Sequence, residues 1–178
     1  MLDSPLRKLL HPPGRLISQL DIGSNDVVVD FGCGPGFFLI AIAKVAGKAI
    51  GIDVSAGMLE RAARKAKKEH VTVELLQTDG TKITLSDESV DMILLNHVFH
   101  EVENKTQVLA EFRRILKSSG RLTIVERTRG NRGFMGLTGP PVIDEKEFTG
   151  EIEQAGFILA RTIAHGDSSI VLSRKLSH

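Results

Sequence analysis

The stretch Val27-Val28-Val29-Asp30-Phe31-Gly32-Cys33-Gly34-Pro35-Gly36-Phe37-Phe38 constrains this chain more than any other. A β-branched run ends in an acid, three glycines alternate, and an apolar segment follows. The pattern predicts a buried strand turning tightly into a helix. Glycine has no Cβ to screen the main chain, so a ligand can approach backbone N–H groups at such a bend. A nucleotide-like cofactor suits the turn. A plain strand-to-helix connection is the alternative.

Spacing separates two cofactor classes. The dinucleotide fingerprint Gly-x-Gly-x-x-Gly needs a third glycine for close helix–strand packing. Counted from Gly32 that position is Phe37, and counted from Gly34 it is Leu39. Neither frame fits, which disfavours a nicotinamide-dependent oxidoreductase. The order present, Asp30-x-Gly32-x-Gly34-x-Gly36, resembles the acidic-x-Gly-x-Gly-x-Gly signature of class I S-adenosylmethionine-dependent methyltransferases. The resemblance implies that Asp30, Gly32, Cys33, Gly34 and Gly36 contribute to binding S-adenosylmethionine, with S-adenosylhomocysteine as product.

The 178 residues suit one domain with one core, and 42% hydrophobic content allows a packed interior. We expect a helical segment over 1–24, a cofactor-binding core over 25–127, and a specificity loop, last helix and hairpin over 128–178. No apolar run approaches the roughly 18 residues of a membrane span. Residues 1–10 carry Asp3, Arg7 and Lys8 and lack the apolar core of a signal peptide. The single cysteine, Cys33, excludes an internal disulfide framework and a cysteine-based zinc site. These features favour the cytoplasm. A net charge of +1 gives no electrostatic push towards nucleic acid. The basic run Arg61 to Lys68 is expected to be a solvated helix face.

Along the chain, Pro12 and Pro13 suit a helix start, with Leu16, Ile17 and Leu20 on its apolar side. Strands are expected at Val27 to Phe31, Lys48 to Asp53, Val71 to Gln77, Val90 to Asn96 and Arg121 to Glu126. A helix from Phe37 to Ala46 should end at Gly47. Ser55 can cap a helix with Met58, Leu59, Ala62 and Ala66 on its core face. Asn104 with Gln107, and Asp144 with Glu147, resemble capping boxes, the second with Ile143 and Phe148 as its staple. That last helix should stop at Gly156. Two final strands, Phe157 to Ala164 and Ser169 to Ser173, flank a turn at His165-Gly166-Asp167-Ser168. Strands alternating with helices imply an α/β fold: a Rossmann-like three-layer sandwich. Its seven-stranded, mostly parallel sheet carries one antiparallel strand from the C-terminal hairpin, which is the layout of the family the chain resembles.

Asp53 ends the second expected strand, where a carboxylate can accept hydrogen bonds from both ribose hydroxyls of an adenosine group. It could equally be an acid favoured by a helix dipole. The resemblance gives Gly51-Ile52-Asp53-Val54-Ser55 the ribose-binding role and sets Val54 and Met58 beside the adenine. Asp79-Gly80 resembles the family's pair that meets the adenine edge, and is also an ordinary turn sequence. Asn96, through its backbone carbonyl, would hold the methionine amino group. The following Asn96-His97-Val98-Phe99 lacks the prolines of amino-directed methyltransferases. It is closer to the small-molecule "type 11" branch exemplified by quinone biosynthesis. Arg114 to Leu122 also resembles that branch, with Ser118-Ser119-Gly120 in place of Pro-Gly-Gly.

Methyl transfer from a sulfonium needs alignment, desolvation and, for a hydroxyl or acidic carbon, a general base. His100 and His97 are the candidates, with Glu101 as an orienting group; a histidine at a strand end can also be a plain structural hydrogen bonder. His97, His100 and Glu101 together resemble a zinc-peptidase motif, but a strand feeding a loop is the wrong setting, and no metal is expected. The loop Arg127 to Pro141 carries Arg127, Arg129 and Arg132, which could bind an anionic acceptor or keep the loop soluble. The expected function is transfer of a methyl group to oxygen or carbon of a small molecule, with a homodimer able to supply a missing wall of the site. Protein or RNA as acceptor, and a non-catalytic S-adenosylmethionine-binding module, are the alternatives.

Overall fold

The structure, a computed structural model, describes residues 13–128, 142–165 and 168–176. Its seven strands form a mostly parallel sheet with antiparallel C-terminal strands, flanked by helices. The chain divides into two compact units, Met1–Thr78 and Asp79–His178. Among the described residues no helix is long and apolar enough to cross a membrane.

The first unit alternates helix and strand: α1 (Pro13–Ile17), β1 (Val27–Phe31), α2 (Phe37–Ala43), β2 (Lys48–Asp53), α3 (Ala56–Lys68) and β3 (Glu74–Gln77). The three strands are parallel in the order β3-β2-β1, with Phe31 opposite Ile52 and Ile52 opposite Leu76. Val28, Val29, Ile50 and Ile52 are buried, as β-branched residues of a covered parallel sheet should be. Pro13 opens α1, where its missing N–H has no helical partner to lose. Ser55 caps α3 by accepting the Met58 N–H at 3.3 Å, and Leu59, Ala62 and Ala66 form the buried face. Most of the basic run is exposed, but Lys65 is half-buried with its Nζ over the Phe37 ring.

Two boundaries differ from expectation. Helix α2 ends at Ala43 rather than Ala46, because residues 44–47 must swing into β2, whose Lys48 N–H already donates to Asp26 O at 3.0 Å. Strand β3 starts at Glu74 rather than Val71, since the Val71 N–H still closes α3 by donating to Ala66 O at 3.1 Å.

The second unit contains β4 (Val90–Asn96), a 3₁₀ turn (Phe99–Glu101), α4 (Lys105–Ile115), β5 (Leu116–Arg127), α5 (Glu145–Gln154), β6 (Phe157–His165) and β7 (Ser168–Lys175). The order is β4-β5-β7-β6, with β4 and β5 parallel and the other pairs antiparallel. Asn104 and Asp144 cap α4 and α5 through the Gln107 N–H (3.2 Å) and the Lys146 and Glu147 N–H groups (2.9 and 3.3 Å). Phe148 of α5 packs on Phe99, ring centroids 6.2 Å apart. Strand β5 begins five residues before the expected Arg121. Leu116 already pairs with Val90, and the register shift before Met92 absorbs Ser118-Ser119-Gly120 inside the strand. Arg127, expected to open a loop, is instead the buried last residue of β5. Arg129, Arg132 and the rest of that loop to Pro141 lie outside the described residues, as do Gly166 and Asp167 of the final turn.

Gly51 on β2 tests the packing of the first unit. A Cβ there would stand 2.6 Å from Leu39 Cδ2, 2.9 Å from Cys33 Sγ and 3.0 Å from Leu75 Cδ2. Gly51→Ala should therefore destabilise the chain by about 1–3 kcal/mol through overpacking, read as a lower urea midpoint. Gly150→Ala, with nothing within 4 Å of its Cβ position, is the control and should leave the midpoint unlowered.

Candidate functional site

The turn after β1 is held by main-chain bonds to β2. The N–H groups of Gly32 and Cys33 both donate to Ile52 O, at 2.8 and 3.0 Å, and the Gly36 N–H donates to Cys33 O at 3.0 Å. Gly32, Gly34 and Gly36 all have positive φ (71°, 51° and 81°), a conformation other residues rarely adopt. The alternation seen in the sequence is thus a run of left-handed steps. Gly36 also sits close to α3, where a Cβ would come within 3.1 Å of Ala62 Cβ. The helix–strand closeness that a dinucleotide fold draws from its third glycine comes here from Gly51, on the neighbouring strand.

Asp53, at the end of β2, ties this turn to the start of α3. Its Oδ2 accepts the Gly34 N–H at 2.8 Å and its Oδ1 accepts the Ser55 N–H at 2.9 Å. Each oxygen retains acceptor capacity for a further donor. Val54 beside it is 64% exposed. Met58 is half-buried in the first turn of α3. A groove of about 710 Å³ lined by Pro13, Ile17, Ile22, Phe37, Ile40 and Lys65 shares none of the glycines or Asp53.

Asp30 and Cys33 are enclosed rather than presented. Asp30 is 3% exposed and its Oδ2 has no hydrogen-bond partner among the described residues. Burial pushes its carboxyl up to about 7, against the Leu39 backbone N–H, while the Asp53 charge adds to the rise. Burial likewise pushes the Cys33 thiol up, with Asp30 and Asp53 adding to it, so the thiol is inert and not a nucleophile.

In the second unit, Asp79 Oδ1 accepts both the N–H and the O–H of Thr81, at 2.9 and 2.7 Å, and Gly80 is buried at φ 87°. The local form is an Asx turn. Asn96 closes β4 opposite Val125, and the His97 N–H donates to Val125 O at 2.8 Å. His97 itself has φ 57°. The 3₁₀ turn then brings His100 against Glu126, on β5. His100 Nδ1 lies 3.0 Å from each Glu126 oxygen, and the His100 backbone N–H donates to Oε1 at 3.3 Å. His97 Nδ1 stands 3.7 Å from Glu126 Oε2, outside hydrogen-bond range. Glu126 has no exposed side-chain surface. Burial acts to raise its pKa, but His97 and His100 outweigh this and hold it below the ordinary glutamate value.

Glu101, the expected orienting group, is 72% exposed and 3.7 Å from His100 Nε2. The residue that grips the imidazole is Glu126, which sequence reasoning passed over as the end of a strand. The available signal was an ionisable side chain closing the otherwise apolar run Leu122-Thr123-Ile124-Val125.

Residues 29–124 match the methyltransferase-domain family. The chain belongs to that family. It is a class I S-adenosylmethionine-dependent methyltransferase of the type 11 branch, and its cofactor is S-adenosylmethionine. A solved S-adenosylmethionine-dependent methyltransferase from Aquifex aeolicus is 30% identical, covers 97% of this chain and 94% of its own, and superposes with a TM-score of 0.86. Demethylmenaquinone methyltransferase of Lactiplantibacillus plantarum is 31% identical over 67% of this chain and 52% of its own. The chain spans about half the length of the curated relatives of that name. The [4+2]-cyclase SpnF, 17% identical, covers 93% of this chain and 81% of its own and shares the fold with a TM-score of 0.76.

The first unit fits this cofactor. Among the described residues nothing lies within 4 Å of a Cβ position at Gly34, Asp53 keeps acceptor capacity beside it, and Val54 offers an exposed apolar surface.

The Asp30 carboxyl has a consequence for stability. Its pKa is higher in the folded chain, so between about pH 4 and about pH 7 the folded state holds a proton that the unfolded state has lost. Stability should therefore fall as pH rises through this window, by a few kcal/mol from this group. Asp30→Asn removes the effect. Its urea midpoint should change less between about pH 5 and about pH 8 than that of the parent chain, and should exceed it at the higher pH.

Proposed function

We propose that this chain transfers a methyl group from S-adenosylmethionine to an oxygen or carbon atom of a small-molecule acceptor. The observation that carries the reading is Asp53, whose two oxygens span the Gly34 and Ser55 N–H groups beside an open glycine turn. Gly32, Gly34 and Gly36 would admit the cofactor to the backbone, Asp53 would accept its ribose hydroxyls, and Val54 and Met58 would cover its adenine. Asp79, Gly80 and Asn96 are assigned to the adenine edge and the amino group by resemblance to the family. Asp30 and Cys33 would act from below, by shaping the turn, since both are buried.

The cofactor supplies an activated methyl group on sulfur. The chain's own contribution is placement of the acceptor, worth several kcal/mol within the roughly 7–11 kcal/mol that ideal positioning can give, and removal of the acceptor's proton. His100 is the proposed base, accepting that proton at Nε2. His97 is the second candidate. Relatives bearing the name demethylmenaquinone methyltransferase support an acceptor of quinol type, with a ring hydroxyl to lose a proton and a ring carbon to be methylated.

Calorimetry with S-adenosylhomocysteine and with NAD tests the donor. The chain should bind the first and not the second, and Asp53→Ala should weaken binding by about tenfold or more, the worth of a hydrogen bond to a charged group. Saturable NAD binding without S-adenosylhomocysteine binding would overturn the proposal. Incubation with methyl-labelled cofactor and a demethylmenaquinol, RNA or protein fraction tests the acceptor. Label in RNA or protein alone would reassign it.

A further inference from the structure

We infer that Glu126 is a positioning residue that fixes the tautomer and direction of His100, leaving Nε2 as a bare proton acceptor. The inference rests on the proposed role of His100 as base and explains how an ordinary histidine is set for it.

The geometry assigns the proton. Nδ1 of His100 lies 3.0 Å from both oxygens of Glu126, a carboxylate that His97 and His100 keep in its ionised form. An ionised carboxylate only accepts, so Nδ1 must carry the hydrogen. In the neutral ring Nε2 then holds a lone pair and no hydrogen. Nε2 points the other way, towards Glu101, whose side chain is 72% exposed. The side of the ring facing Glu126 is thus the donor side, and the side facing Glu101 is the accepting side.

The same carboxylate holds the loop as well as the ring. The His100 backbone N–H donates to Glu126 Oε1 at 3.3 Å, so one residue fixes both the main chain and the imidazole. His97 Nδ1 stands farther away, 3.7 Å from Glu126 Oε2. Strand register sets the arrangement: Asn96 pairs with Val125, so the next residue of β5 is Glu126, directly beside the turn that leaves β4. A carboxylate plays the same orienting part behind a catalytic histidine in hydrolase triads.

Nitrogen-15 NMR of the full labelled chain reads the tautomer directly, and Glu126→Gln keeps the size while removing the charge. In the parent chain, at a pH where His100 is neutral, the Nδ1–H form should exceed the Nε2–H form by about tenfold or more. In Glu126→Gln that excess should fall severalfold, because an amide can accept from Nδ1 or donate to it. A general loss of structure would not reproduce this, and S-adenosylhomocysteine binding by the same samples reports the fold. An Nε2–H tautomer in the parent chain, or an unchanged ratio in Glu126→Gln, overturns the inference and leaves the methyl-donor reading intact. The expected tautomers in a chain that does not bind S-adenosylhomocysteine would uphold the pair and overturn the donor reading.

Discussion

The hydrogen bond from Gly34 N–H to the Asp53 carboxylate, at 2.8 Å, is the interaction on which the first unit turns. It requires that the backbone after β1 be bare and left-handed, that β2 end level with it, and that α3 begin at once. Each requirement is met by a particular residue. The alternating glycines give the backbone its path, Gly51 lets β2 approach α2, and Ser55 donates its N–H to the second carboxylate oxygen while capping α3. The residues proposed to bind the cofactor are therefore also the ones that hold the packing of this unit. The Asp30 carboxyl, whose Oδ2 has no partner among the described residues, carries the energetic cost of burial, to which the nearby Asp53 charge adds.

What was legible in the sequence follows the range of the interactions involved. Ser55, Asn104 and Asp144 cap helices through bonds spanning two or three residues, and local spacing predicts all three. Strands β2 and β4 have the bounds expected of them, because each is an apolar run between clear breaks. Strand β5 does not, since its first residues are in a strand only by pairing Leu116 with Val90, 26 positions away. The site divides in the same way. The glycines and Asp53 are singled out by spacing and the structure brings Gly34 and Asp53 together, whereas Glu126 meets His100 across 26 positions and a strand register. Glu101 was the natural choice by adjacency. It failed because a neighbour in sequence on a 3₁₀ turn points its side chain outward, to 72% exposure.

The fold does not choose the reaction. SpnF shares the architecture under the name of a cyclase, so the fold alone does not establish a chemistry. In this chain the second unit adds a histidine held by a fully buried glutamate at the carboxyl end of a parallel pair. Burying an ionised glutamate is costly unless its donors are fixed, and here the donors come from one short turn. That arrangement constrains the acceptor by chemistry. Nε2 can assist only a group with a proton to give up, such as a phenolic hydroxyl or the ring carbon it activates. An amine already carrying a free lone pair gains little from a base at that point. On the proposed reading the glycines and Asp53 would hold the donor, and a glutamate-held histidine would favour an acceptor with a proton to give up.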